Sequence, residues 1–248
     1  MIPHEPIRQD LIEVNYLLKN NHLSPEEVWK FENFFEWYES RFKKSVVIHH
    51  DTEEHVFFPA IRKRCAIPEK TTADHKQLIA KLNEISQVGN KFKTERNENA
   101  ANACLATLTT NWNDLVELMF PHLAEEEEQM KTQIKERFSE KEFEKVVQSI
   151  IKKEGLGNAR INLPGILQSM SLWATEQFRQ DFIDKLPKPI RYLLFKYWKP
   201  SFDLYHRGAL ISLRKGAPKQ IIKESEKKRP LPTFSAPLDI DMTEILNT

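Results

Sequence analysis

The histidines of this sequence are placed as metal-site histidines would be. Eight occur, at positions 4, 22, 49, 50, 55, 75, 122 and 206, and His22, His49, His50 and His122 each have a carboxylate four residues on. With 36 acidic residues in 248 positions, chance would give roughly one such case among eight, taking i and i+4 as neighbours on one helix face. An imidazole nitrogen and a carboxylate oxygen aimed at one point from a single helix is the unit from which helical bundles build carboxylate-bridged dinuclear metal sites. His22 with Glu26 is the plain member of the set, because Glu26 belongs to a helix start. His49/Glu53 and His122/Glu126 are the pairs that could hold metal. A lone histidine is more often a core or surface residue, and Glu125 to Glu128 alone would read as a solvated run. Convergence of several such groups at one level is what separates the two readings.

Which elements could bring them together follows from the apolar periodicity. Ile7, Leu11, Val14, Leu17 and Leu18 recur at three- and four-residue steps, which predicts a first helix from Pro6 to about Lys19. Ser24-Pro25-Glu26-Glu27 carries a capping residue, a first-turn proline and an acid placed for a capping box, so a long second helix is expected from about Pro25 to Arg64. A third is expected over Thr71 to Phe92 and a fourth from Glu98 to Phe138, the fourth kinked or restarted at Pro121. In an antiparallel bundle the start of odd helices and the end of even helices share one level. His4 opens the first helix, His75 lies near the start of the third, and His49 and His122 lie deep in the second and fourth. All four helices therefore place a histidine at the same end.

The fold class expected is all-α: an up-down-up-down four-helix bundle over 1–138, a helical extension over 139–216, and an extended tail over 217–248. Only six glycines occur in a chain rich in Glu, Lys and Leu, which favours long helices. Within the extension, helices are expected from Ser139 to about Gly155-Leu156-Gly157, from Leu163 to Leu186 and from Pro189 to Lys215. Hydrophobic residues at 40% leave material for a sizeable core and rule out wholesale disorder. A net charge of +1 provides no general field for a polyanion, so no nucleic-acid partner is expected. No stretch approaches a membrane span, no apolar leader follows Met1, and Cys65 and Cys104 do not make a disulfide framework; a cytoplasmic location is the expectation.

The pieces PHEPIRQDL (3–11), HHDTEEHVFFPAI (49–61), DHKQL (74–78) and HLAEEEEQM (122–130) resemble the hemerythrin-like, or HHE cation-binding, proteins over roughly residues 1–135. The segment from LPGILQSM to KYWKPSF resembles an extension found after this domain in some relatives. The resemblance implies metal ligands at His4, His49, Glu53, His75, His122 and Glu126, with Glu53 and Glu126 bridging two iron ions (Fe2+/Fe3+, oxo- or hydroxo-bridged). The second motif admits two registers, His49/Glu53 or His50/Glu54, and anchoring on Phe58-Pro59 favours the first. Where oxygen-carrying hemerythrins have a second histidine four residues on in the third helix, this sequence has Ile79. That leaves the set one histidine poorer and moves the expectation from reversible oxygen carriage toward sensing.

The function expected is therefore binding or sensing of dioxygen, peroxide, nitric oxide or iron at a non-haem di-iron site; any turnover would be redox chemistry at the metal. Iron storage, or a partner- or membrane-binding module with a structural metal, are the alternatives. The last reading draws on residues 187–216, where Lys188, Arg191, Lys196, Lys199, Arg207, Arg214 and Lys215 interleave with six aromatics against one acid, Asp203. The plainer expectation is that these aromatics pack on the bundle and that His206 is structural or exposed.

Overall fold

The computed structural model describes residues 4–216, so the expected tail over 217–248 lies outside the described residues. Among the described residues every element is helical. Four helices form the bundle: α1 (His4–Lys19), α2 over residues 28–61, α3 (Glu69–Glu95) and α4 (Glu98–Arg137). Three follow: α5 (Glu140–Trp173), α6 (Glu176–Lys185) and α7 over residues 188–215.

The expected boundaries hold to within a few residues, and the exceptions have local causes. Ser24 does not cap α2: its hydroxyl bonds the Glu26 carboxylate instead, and the helix begins after a turn at Glu27. The α3–α4 turn is tighter than its polar run suggests, with Arg96 left-handed (φ 51°) and the Asn97 side chain accepting from Ala100 N at 2.9 Å. Pro121 does not interrupt α4, which runs through it. At the start of α5 Ser139 and Glu142 form a reciprocal capping box. Gly155 (φ 62°) breaks α5 into two helical halves, a conformation that favours glycine. The expected helix from Leu163 to Leu186 is divided at Ala174-Thr175, where Thr175 caps α6.

No periodicity argument anticipates the π turns. Helix α2 contains two five-residue π segments, Tyr38–Phe42 and Glu53–Phe57, each closed by a backbone bond five residues back, Lys43 N to Tyr38 O and Phe58 N to Glu53 O. Helix α7 has two more, Leu194–Trp198 and Asp203–Arg207. Each inserts one extra residue into an otherwise α-helical rod.

The bundle core is aromatic at one end. Phe31, Phe34, Phe35, Trp37, Tyr38, Phe42, Phe92 and Trp112 are all buried there. The Tyr38 hydroxyl donates to Leu82 O at 2.7 Å, which satisfies its polar end. A second apolar cluster at the other end joins Phe57, Phe58, Ile61, Cys65, Met130 and Val146. Between the two lies a polar layer: along α2 it falls between Val46 and Phe57, and along α4 between Met119 and Met130.

The extension is tied to the bundle by side-chain bonds as well as apolar contact. His206 Nε2 meets Asp10 Oδ1 at 2.8 Å, and Ser45 Oγ donates to Asn162 Oδ1 at 2.9 Å. His206 is thus buried and paired with an acid of another helix. The aromatics of α7 depart from their expected packing: Phe202 is buried, but Tyr192, Phe195, Tyr197 and Tyr205 are exposed. No described helix is long and apolar enough to cross a membrane.

Candidate metal centre

The polar layer contains His4 from α1, His49, His50 and Glu53 from α2, His75 from α3, and His122 and Glu126 from α4, all buried. All six residues expected from the sequence converge, and His50 joins them. The two registers considered for the second motif are therefore not alternatives. At 100° per residue, Glu53 lies 40° around the helix from His49 and 60° from His50, so its carboxylate sits between two flanking imidazoles. Glu54 stands one position outside and bonds His75 Nδ1 at 2.8 Å. The missing histidine of the third helix is offset by this tandem, and the count returns to five imidazoles and two carboxylates. His22, in contrast, stacks on Tyr16 away from the cluster.

Two subsets of donor atoms are each mutually within 4.8 Å: His50, His75 and His122, and His4, His49, Glu53 and Glu126. The carboxylates lie between them. Glu126 Oε1 is 3.4 Å from His75 Nε2 and 3.6 Å from His122 Nε2, whereas its Oε2 is 3.5 Å from His4 Nε2. Glu53 reaches His4 Nε2 with Oε1 at 3.6 Å, and His49 Nε2 (3.4 Å) and His75 Nε2 (3.6 Å) with Oε2. These spacings are long for hydrogen bonds. They suit two donors of one ion, because ligands ~2.1 Å from a shared metal lie ~3.0–4.2 Å apart.

The donor atoms themselves supply the fit test. His49, His75 and His122 Nε2, both ring nitrogens of His50, and all four oxygens of Glu53 and Glu126 are buried without a hydrogen-bond partner. Leaving so many polar atoms desolvated and unpaired is costly, and cations in their midst would satisfy them together. Residues and donor chemistry therefore fit a pair of metal ions.

Carboxylates outside the cluster orient the rings. His4 Nδ1 lies 3.0 Å from Glu127 Oε1, and Glu127 is held in turn by Arg8 at 2.9 Å. His75 Nδ1 is held by Glu54, and His122 Nδ1 faces Asp74 Oδ2 at 3.7 Å, with Asp74 anchored by Lys70 at 2.7 Å. A proton kept on Nδ1 leaves the Nε2 lone pair bare and aimed inward. Phe58 lies parallel to the His75 ring, centroids 5.7 Å apart, and fixes its plane.

Protonation follows from burial. Desolvation, with the neighbouring imidazoles, pushes His49 and His50 well below the ordinary histidine range, so both are neutral bases. Burial and the nearby Glu126 raise the Glu53 carboxyl to about 7. For His4 and His75 burial alone would lower the pKa, but the surrounding carboxylates outweigh it and raise both. Burial works against Glu127 as well, yet hydrogen bonds from His4 and Arg8 hold its carboxyl well below the usual range.

The model of the hemerythrin HHE cation-binding domain matches residues 3–134, and it ends close to the end of α4. An all-α bundle with a buried imidazole and carboxylate layer is a cation-binding fold. This chain belongs to the hemerythrin HHE cation-binding family. No curated protein and no solved structure matches it.

Proposed function

We propose that the chain holds two iron ions in this layer and uses them to bind or sense dioxygen, peroxide or nitric oxide, or to register iron itself. The observation that carries this reading is the set of buried, unpartnered nitrogens and oxygens at the level where four helices meet. His50, His75 and His122 would hold one ion and His4 and His49 the other, with Glu53 and Glu126 shared between them. Five donors on one side and four on the other leave positions free in a six-coordinate pair.

When bound, iron in such a mixed nitrogen and oxygen set supplies an accessible redox couple and an open position for a small molecule. The chain's own residues do the rest. Glu127 and Glu54 hold the rings of His4 and His75, and Asp74 lies beside that of His122. Phe57, Phe58, Met119 and Leu123 surround the layer and keep bulk water from it. The side with fewer donors, at His49 and Glu53, borders a cavity shared with the extension, which provides a route of approach.

The test is metal content and spectrum. Purified chain reconstituted with ferrous iron should carry two irons per chain and show ligand-to-iron charge-transfer absorption in the near ultraviolet that changes reversibly with dithionite and oxygen. No iron after reconstitution, with an unchanged melting temperature, removes the proposal.

A second reading draws on α7. Tyr192, Phe195 and Tyr197 are exposed, and the Lys196 ammonium lies 4.9 Å from the Tyr192 ring centroid. A basic, aromatic face of this kind suits an anionic membrane surface or an acidic partner. Co-sedimentation with anionic liposomes should fall when Lys188, Arg191, Lys196 and Lys199 are neutralised; absence of binding by the unmodified chain removes this reading.

A further inference from the structure

Between α1 and α2 of the bundle and α5 to α7 of the extension lies a cavity of about 730 Å³, within the range of sites that enclose a small organic molecule. Most of its wall is apolar, including Phe57, Phe143, Ile161, Leu163, Phe182 and Phe202. Val147, Ile151 and Leu156 on the broken helix α5 also line it, yet they are 38%, 45% and 57% exposed, which marks its open side. Such a space is much larger than a diatomic ligand requires.

The polar groups of the wall are mostly paired: Asp10 with His206 and Ser45 with Asn162 across the interface, and Arg207 with Gln168 at 3.2 Å within the extension. Gln9 and Glu13 are not. Both line the cavity, one helical turn apart on α1; Glu13 is 1% exposed, and its two carboxylate oxygens and the Gln9 amide nitrogen have no partner. Arg207 and Arg214 act on the Glu13 charge but donate no bond to it, and burial pushes its carboxyl up. A buried acceptor beside a buried donor calls for one group that both gives and takes a hydrogen bond. A hydroxyl does this. A carboxylate head would face Glu13 as a like charge, and an ammonium head would lie near Arg207.

We propose that this cavity binds an elongated apolar molecule with a single neutral hydroxyl head, the head held by Gln9 and Glu13 and the chain lying along the apolar wall toward His49 and Glu53. Glu13 is nine residues beyond His4, about 13 Å along α1. An extended chain of about ten carbons, with bonds of ~1.5 Å, covers that distance. The far end of the chain then borders the polar layer, and its placement against metal rests on the di-iron reading given above.

Calorimetric titration of the full chain, iron-free and iron-loaded, with 1-octanol, 1-decanol and 1-dodecanol tests the proposal. One saturable site is expected, with Kd falling about fourfold for each added methylene. Glu13→Leu should weaken 1-decanol at least tenfold while raising the melting temperature of the empty protein. Ala159→Trp, placed in the wall and checked for an unchanged circular dichroism spectrum, should abolish binding. The absence of a saturable site, tighter binding of decanoate than of 1-decanol, or an unchanged Kd in Glu13→Leu would each overturn it. So would a tenfold gain in affinity when the chain is ended after Gly216, which would assign the cavity to residues 217–248. Alcohol binding without iron binding sinks the metal reading alone, and iron binding without alcohol binding sinks the cavity alone. In iron-loaded protein 1-decanol should also shift the charge-transfer band; an unmoved band with a filled site removes the placement next to the metal.

Discussion

At one end of the bundle Phe34, Tyr38, Phe42 and Trp112 pack ring against ring, with Trp112 and Phe42 centroids 5.2 Å apart. Farther along, between this end and the second apolar cluster, the same four helices meet through five imidazoles and two carboxylates whose inward atoms find no protein partner. The aromatic end is complete in itself: it is held by burial of large apolar surfaces, which needs no second component. The histidine layer lacks that completeness: its desolvated acids and bases have no protein partner to offset their burial, and a cation among them would supply one. Apolar packing and the polar layer are thus segregated along the axis of one bundle.

The strongest way to break this contrast is at Glu53. Its carboxyl, with a folded pKa near 7 against 4.5 for an ordinary one, takes up a proton more readily folded than unfolded. Glu53 by itself therefore contributes a loss of stability as pH rises from about 4.5 to 7, on the order of 3 kcal/mol. It is opposed by His49 and His50, whose burial as neutral bases makes the fold more stable as pH rises toward the ordinary histidine range. Glu53→Gln should remove the Glu53 contribution, leaving stability to rise with pH through the histidines, and should raise the melting temperature of the metal-free chain at pH 8, while iron binding falls. Melting curves with and without iron would show the opposite signs. A Glu53→Gln chain destabilised in both states would mean that the layer is ordinary structure.

At the aromatic end, Trp112→Ala should cost about 4 kcal/mol in a denaturant melt, whether or not iron is present; a loss that iron reverses would place Trp112 in the metal layer's support. Glu54→Gln removes the acid that holds His75 Nδ1. Iron affinity should fall by about 10- to 100-fold with little change in metal-free melting, as read by competition with a chelator. The smallest effect sharpens the packing side. A Cβ at Gly89 would stand 2.6 Å from Phe35 Cδ1, and the ring is buried, so Gly89→Ala should destabilise by about 1–3 kcal/mol with iron content unchanged.

Much of the fold was legible because long helices write their period and boundaries into the sequence. The convergence of His4, His49, His75 and His122 is legible because it needs only helix direction and rise. His50 reads as a competitor of His49 in the sequence because adjacent residues on a helix normally face different ways. Both rings are buried in the layer with Glu53 between them, and the HisHis tandem was the available signal. Glu127, Glu54 and Asp74 were not assigned because carboxylates that orient a ring have no fixed spacing from it. The exposed aromatics of α7, the break at Gly155 and the burial of Glu13 depend on how α5 to α7 lie on the bundle, and apolar periodicity within one helix does not encode that.

The π turn over Glu53–Phe57 has a consequence for how this stretch can vary. Glu53 and Phe58 are five positions apart, yet both meet His75, one through its nitrogen and the other through its ring face. They do so because one surplus residue is folded into the rod between them. Deleting one residue from 54–57 would leave Glu53 and Phe58 four positions apart in an ordinary helix, about 40° apart and still on one face. Straightening the turn at unchanged length would instead swing everything beyond it by about 100° and carry Phe58 off the imidazole. The surplus residue and the π turn are therefore kept or lost together.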